Sequence, residues 1–91
     1  MKQKREKKIA LVTGAASGLG FALSNLLSSE SFHVIGVSKN LQGLEDLKKS
    51  LLKISNPSFD LIMTDLKDQK QVKDLSELIL KRWGYLNVLI H

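Results

Sequence analysis

Two kinds of apolar spacing alternate along the chain, and this alternation is the strongest constraint on its fold. Short continuous apolar runs are typical of strands covered on both faces, whereas apolar residues three and four positions apart are typical of amphipathic helices. The predicted strands are residues 8–13, 33–37, 59–63 and 88–90. The predicted helices are residues 18–29, a segment over residues 44–54 that Asn56 and Pro57 end, and residues 68–82. This order predicts an α/β fold with a parallel sheet and right-handed crossovers.

Each predicted helix has one apolar face, which we expect to cover the sheet. The expected buried positions are Leu19, Ala22, Leu23, Leu26 and Leu27 in the first helix, Leu44, Leu47, Leu51 and Ile54 in the second, and Val72, Leu75, Leu78, Ile79 and Trp83 in the third. Serines interrupt the first helix and its end without the sequence context of a catalytic triad: Ser24, Ser28, Ser29 and Ser31.

A glycine-rich turn, residues 13–20, connects the first strand to the first helix. Gly14 would permit the tight turn, Gly18 would let the backbone approach a pyrophosphate, and Gly20 would let helix and sheet pack closely. The helix that follows would direct its free N–H groups at bound phosphates. A plain tight turn is the alternative, but the position between a buried strand and an amphipathic helix favours a dinucleotide site in a Rossmann-type parallel sheet of strand order 3-2-1-4.

The turn resembles the T-G-x-x-x-G-x-G pattern of the short-chain dehydrogenase/reductase family. Three further signatures follow in family order: Ser38-Lys39-Asn40 at the end of the second strand, Asp65 after the third, and residues 84–90 leading into the fourth. Asn87 replaces the usual Asp of the last segment, and His91 stands where the first Asn of N-N-A-G would be. The resemblance covers residues 8–91 and implies the N-terminal cofactor-binding portion of a member, with the sheet ending after its fourth strand.

The resemblance also implies which residues contact the cofactor. These are Thr13, Gly14, Ala16, Ser17, Gly18, Leu19, Gly20, Ser38, Lys39, Asn40, Asp65 and Leu66. The carboxylate of Asp65 would accept a hydrogen bond from the adenine amino group. Capping of the following helix is the alternative role of Asp65, although Asp68 could do that equally well.

The end of the second strand indicates NADP rather than NAD. An acid about 20 positions beyond the glycine turn would hold an NAD ribose, whereas a basic residue accommodates the 2′-phosphate of NADP. Ser38 supplies a hydroxyl and Lys39 a positive charge, and the three residues there include no acid. An ordinary solvated lysine is the alternative for Lys39, and NADP-using relatives often carry a second basic residue where Ser17 stands.

Catalytic residues are absent from the sequence. The family implies an Asn, a Ser and a Tyr-x-x-x-Lys, but the one tyrosine, Tyr85, has Leu89 four positions later. We therefore expect no dehydrogenase turnover from these 91 residues, and predict part of an NADP(H)-preferring oxidoreductase that interconverts carbonyls and alcohols. The alternatives are a non-catalytic nucleotide-binding module and a small interaction protein that acts through a basic tail. Neither His33 nor His91 has a ligand partner at metal-binding spacing in the sequence.

The net charge of +5 is concentrated at the N-terminus, where residues 1–8 carry +4. We interpret residues 1–7 as a basic flexible tail and residues 8–91 as a partial dinucleotide-binding domain. The nearly neutral remainder argues against a nucleic-acid partner, and no apolar run is long enough for a membrane span. The absence of cysteine fits a reducing compartment, and the apolar run at residues 9–12 is too short for a secretory signal, so a cytoplasmic location is expected. Self-association through the fourth strand is possible, because its outer edge would be open.

Overall fold

The computed structural model describes residues 7–91, which form one four-stranded parallel sheet with three helices. The elements are β1 (Ile9–Thr13), α1 (Gly18–Ser29), β2 (His33–Ser38), α2 (Leu41–Leu51), β3 (Phe59–Met63), α3 (Gln69–Arg82) and β4 (Val88–Ile90). The strand order is β3-β2-β1-β4, and all three neighbouring pairs are parallel. The predicted fold class and strand order are therefore confirmed. Except for Lys7, the predicted basic tail lies outside the described residues.

The helices cover opposite faces of the sheet, as right-handed crossovers on either side of β1 require. One apolar cluster lies between the sheet and α1 and α2, and includes Val12, Val34 and Leu47. The other cluster lies under α3, where Leu75 packs among side chains such as Leu11. Alternate residues of β1 thus contribute to different clusters, as the pleat of a strand buried on both faces dictates.

The predicted buried face of α1 is wrong in part, because Leu27 packs against the α1 and α2 cluster as expected but two other leucines are exposed. Leu19 and Leu26 are 73% and 55% exposed, whereas Ser24 and Ser28 are buried. Gly20, Ser24 and Ser28 recur at four-residue spacing, so α1 turns a face of small residues toward the sheet. The Ser24 hydroxyl remains satisfied in the core, because it donates a hydrogen bond to the Gly20 carbonyl at 2.8 Å. Small side chains allow a closer approach of helix and sheet than the leucines of the predicted face.

The second helix ends earlier than the sequence predicts. α2 ends at Leu51, and the next residues form tight turns in which Ile54 N donates to the Leu51 carbonyl at 3.0 Å. Asn56 then adopts a positive φ of 55°, a left-handed conformation that asparagine tolerates better than most residues. Ile54 still packs against the α1 and α2 cluster, although it lies outside the helix. The prediction that Ile54 contributes to the core is therefore correct, but the prediction that it is helical is wrong.

The third helix has the predicted face, with Leu75 buried and Ile79 and Trp83 packed against the cluster beneath it. The fourth strand is less covered than a strand buried on both faces, because Leu89 is 62% exposed. None of the helices in the described part of the chain is long and apolar enough to span a membrane.

Candidate functional site

The glycine turn lies at the carboxyl end of β1, where two of its glycines adopt left-handed backbone conformations. Gly14 has a φ of 60° and Gly18 a φ of 55°, values that residues with a Cβ rarely adopt. A Cβ at either position would have no atom within 4 Å, so both glycines leave open backbone surface. The turn therefore has room for a ligand in direct contact with its main chain.

Gly20 has a different role, because it lies inside the junction between turn and helix. A Cβ at Gly20 would overlap the carbonyl group of Gly14. Ala15 N donates to the Val37 carbonyl at 3.1 Å and so fixes the turn to the end of β2. The Thr13 hydroxyl donates to the Ile90 carbonyl at 3.3 Å and lies 2.9 Å from His91 Nδ1. The turn is thus held by both strands that flank β1.

The amino end of α1 has hydrogen-bond donors to offer. Ser17 is the N-cap residue, with an extended backbone of φ −156° and ψ 161°, but its side chain makes no capping hydrogen bond. The first turn of α1 contains no acidic residue. Its first N–H groups and the positive end of the helix dipole therefore favour an anion at this position.

A pocket of about 280 Å³ opens beside the turn, between the ends of β2 and β3. It is lined by Gly14, Val37, Ser38, Lys39, Thr64, Asp65, Leu66 and Lys67. Five of the twelve predicted contact residues line this pocket: Gly14, Ser38, Lys39, Asp65 and Leu66. The carboxyl ends of adjacent parallel strands thus meet here, which is where open α/β sheets bind ligands.

The other seven predicted residues do not line this pocket. Asn40 is the N-cap of α2, because its side chain accepts a hydrogen bond from Gly43 N at 3.0 Å. Ala16 packs closely against Gly43, and a Cβ on Gly43 would overlap the Ala16 side chain. Leu19 projects into solvent from the first turn of α1. The remaining predicted residues form the turn itself: Thr13, Ser17, Gly18 and Gly20.

The loop after β3 is held by a network of hydrogen bonds that leaves one carboxylate oxygen of Asp65 without a partner in the described residues. Asp65 Oδ1 accepts from Lys67 N at 3.0 Å, and the Asp65 carbonyl accepts from Asp68 N at 3.0 Å. Asp68, not Asp65, caps α3 by accepting from Lys70 N and Gln71 N. The backbone and side-chain hydrogen bonds from Gln71 are the main causes that hold the pKa of Asp68 below its ordinary value. Asp65 is therefore free of the capping role.

Gln71 was missed by the sequence reasoning although it orders this loop. Its Oε1 accepts from Asp65 N at 2.8 Å, and its Nε2 donates to Asp68 Oδ2 at 3.1 Å. Asp68 and Gln71 have the three-residue spacing of a capping box, and that signal could have identified Gln71. Thr64, also missed, is buried and donates its N–H to the Ser38 carbonyl at 2.9 Å, which ties the two walls of the pocket together.

The opposite, amino-terminal edge of the sheet contains a second polar cluster. His33 Nδ1 lies 2.7 Å from Ser58 Oγ, and Nε2 lies 3.0 Å from Asp60 Oδ2. Arg82 Nη1 is 3.7 Å from the same carboxylate, and the Trp83 ring lies 5.4 Å from the imidazole. Strand pairing thus brings Asp60 to His33, although 27 positions separate the two residues in the sequence. Within residues 7–91 no group of three or more potential metal ligands occurs. The contacts of Asp60 with His33 and Arg82 connect β3 to β2 and α3.

Comparisons with known proteins agree with this geometry. The family model for short chain dehydrogenase matches residues 8–91. The farnesol dehydrogenase of Aedes aegypti is 27% identical over 84 residues, which are 92% of this chain and 34% of that protein. The glycine betaine reductase ATRR of Emericella nidulans is 36% identical over 83 residues, or 91% of this chain and 6% of that protein.

A solved structure resembles the fold closely. The crystal structure of YwfH, an NADPH dependent reductase involved in bacilysin biosynthesis, superposes with a TM-score of 0.83 at 30% identity and covers 92% of this chain. The matched part is 34% of that reductase. The chain thus spans about a third of the length of YwfH and of the farnesol dehydrogenase. With a family model that matches nearly every residue, this chain belongs to the short chain dehydrogenase family.

Proposed function

We propose that the chain binds NADP(H) between the glycine turn and the pocket at the carboxyl edge, as the cofactor-binding part of a short-chain oxidoreductase. The observation that carries the proposal is that Gly14, Lys39 and Asp65, from three different strand ends, line one pocket. The N–H groups at the start of α1 would hold the pyrophosphate. The unoccupied oxygen of Asp65 would accept a hydrogen bond from the adenine amino group, and Leu66 would cover the base.

The preference for NADP rests on charge at the end of β2. A carboxylate there would accept hydrogen bonds from an NAD ribose but would repel a 2′-phosphate. Ser38, Lys39 and Asn40 include no acid, and Lys39 lines the pocket. The NADPH dependence of the similar reductase YwfH is consistent with the same cofactor. A lysine that is merely solvated would give no preference, and this is the alternative that the experiment must exclude.

When bound, NADPH would supply a hydride to a substrate carbonyl, and the reverse reaction would oxidise an alcohol. The residues of this chain would bind and orient the dinucleotide for that step. The 91 residues contain no Tyr-x-x-x-Lys to exchange a proton with the substrate oxygen. We therefore assign cofactor binding to these residues and no catalytic role.

The same turn and pocket would equally serve a second candidate, a non-catalytic nucleotide-binding module. The two candidates share every binding residue, so the sequence encoded after His91 distinguishes them. An Asn-Ala-Gly continuation in any reading frame would favour the oxidoreductase.

Calorimetric titration of the chain with NADP and with NAD tests the proposed preference. Lys39→Asp should weaken NADP binding by roughly tenfold to a hundredfold, the loss expected for a charge-assisted hydrogen bond, and should leave NAD binding equal or stronger. Lys53→Asp is the matched control, because Lys53 is exposed after α2 and outside the pocket. Equal affinities of the parent chain for both cofactors would contradict the proposal.

A further inference from the structure

We infer that Lys67 is a second specificity-determining residue, whose ammonium group binds the 2′-phosphate together with Lys39. This inference rests on the proposed function, since it concerns the same dinucleotide site. Lys39 follows β2 and Lys67 belongs to the loop after β3, so the two lysines come from opposite walls of one pocket. Sequence reasoning did not identify Lys67, because 28 positions separate it from Lys39.

Both lysines are available to an anion. Their side chains are exposed, and neither forms a salt bridge with any residue in the range 7–91. Lys70, only three positions further on, is instead paired with Asp74 at 3.1 Å. A lysine that already has a carboxylate partner would lose that interaction on binding a phosphate, whereas Lys67 has no such partner to give up.

Lys67 makes the net charge of the pocket lining positive. Its charged lining side chains are Lys39, Lys67 and Asp65. Lys39 and Asp65 alone would make the lining neutral, and Lys67 gives it a net charge of +1. A phosphate monoester carries between one and two negative charges at neutral pH, so a neutral lining would offer it little attraction. Ser17, at the amino end of α1, contributes no charge.

The backbone of Lys67 is held in place before any ligand arrives. Lys67 N donates to Asp65 Oδ1 at 3.0 Å, and Asp65 N in turn donates to Gln71 Oε1 at 2.8 Å. Thr64, at the start of this loop, is tied to β2 by the hydrogen bond from its N–H to the Ser38 carbonyl. An ordered loop reduces the conformational entropy lost on binding, so the ammonium group needs to order only its own side chain.

Two small probes isolate the proposed contact: adenosine 2′,5′-bisphosphate and adenosine 5′-monophosphate, which differ only in the 2′-phosphate. Lys67→Gln should weaken binding of the bisphosphate by roughly threefold to tenfold, as expected for a solvent-exposed charge contact, and should leave the monophosphate within about twofold. Lys67→Arg should restore most of the loss. Lys70→Gln is the control, since Lys70 is already paired with Asp74 and lies outside the pocket.

The outcomes separate this inference from the proposed function. If the parent chain prefers the bisphosphate and Lys67→Gln keeps that preference in full, the inference about Lys67 is wrong while the NADP site stands. If Lys67→Gln weakens both probes equally, Lys67 acts on the adenine or on folding, and the inference is also wrong. A parent chain that binds neither the probes nor NADP would overturn both proposals.

Discussion

Asn87 holds the first residue of β1 with both its side chain and its main chain. Ile9 N donates to Asn87 Oδ1 at 2.7 Å, and Asn87 N donates to the Ile9 carbonyl at 2.8 Å. Ile9 is only 2% exposed, so its N–H has little access to water as an alternative partner. The family resemblance leads one to expect Asp here, and asparagine retains the acceptor oxygen that this contact needs.

Removing that acceptor should therefore destabilise the sheet where β1 and β4 begin. We expect Asn87→Ala to lower the free energy of unfolding by about 1–3 kcal/mol, the cost of leaving a buried donor unsatisfied. Asn87→Asp should stay much closer to the parent, because a carboxylate oxygen can accept the same bond. Urea unfolding followed by circular dichroism measures both variants. An alanine variant as stable as the parent would show that water replaces the Asn87 oxygen.

Gly20 tests the close contact between the turn and α1. In Gly20→Ala the new Cβ would overlap the Gly14 carbonyl, so the helix must move away from the turn. We expect a loss of about 1–3 kcal/mol in the free energy of unfolding, typical of overpacking. Alanine is a better helix former than glycine by about 1 kcal/mol, and an effect of helix propensity alone would therefore have the opposite sign. A thermal midpoint at or above that of the parent would contradict this prediction.

Asp68 should make the stability of α3 depend on pH. Its hydrogen bonds with Gln71 lower its pKa from the ordinary value of 3.8, so they favour the charged form in the folded state. The resulting stability is fully present above the unfolded-state pKa and is lost as the pH falls through the lower folded-state pKa.

Asp68→Asn separates this charge effect from capping, because asparagine caps helices about as well as aspartate. The difference in unfolding free energy between parent and Asp68→Asn should be largest near neutral pH and should shrink on acidification below the ordinary aspartate pKa. Urea titrations at several pH values measure it. A difference that stays constant from neutral pH to about pH 2.5 would show that the Asp68 charge is not the cause.

Leu89 should promote association between copies of the chain. β4 pairs with β1 along one edge, has no strand partner along its other edge within the described residues, and carries Leu89 at 62% exposure. Open edges with apolar side chains pair readily with other chains. We expect the mass from light scattering to rise with concentration, and Leu89→Lys to reduce that rise.

Leu52→Lys is the matched control for Leu89, since Leu52 is 57% exposed but follows α2, away from β4. Equal suppression by the two substitutions would indicate general surface hydrophobicity rather than the β4 edge. A parent chain that remains monomeric at all concentrations would refute the prediction entirely.

Local sequence patterns were sufficient to predict the sheet and the turn. Strand β3 has the predicted bounds, and the alternation of elements with right-handed crossovers leaves few strand orders open. Gly14 and Gly18 were recognisable because their type and spacing reflect backbone conformations that other residues rarely adopt.

Contacts between distant segments could not be predicted in the same way. The leucines of α1 suggested its buried face, but only part of that face is covered: Leu27 packs against the cluster, whereas Leu26 is exposed and Ser24 is buried. His33 and Asp60 are neighbours only because β2 pairs with β3, and their spacing along the chain indicates nothing. Lys67 was missed for the same reason, since its relation to Lys39 depends on how two strand ends meet.

The central claim, a dinucleotide bound at the carboxyl edge of the sheet, is tested most directly by backbone amide NMR of the labelled chain during titration with NADP. We expect saturable shifts of the Gly14, Gly18, Lys39 and Asp65 amides, with the amide of His33 at the opposite edge unchanged. Shifts centred on His33, or no saturable shift at the glycine turn at millimolar NADP, would contradict the claim.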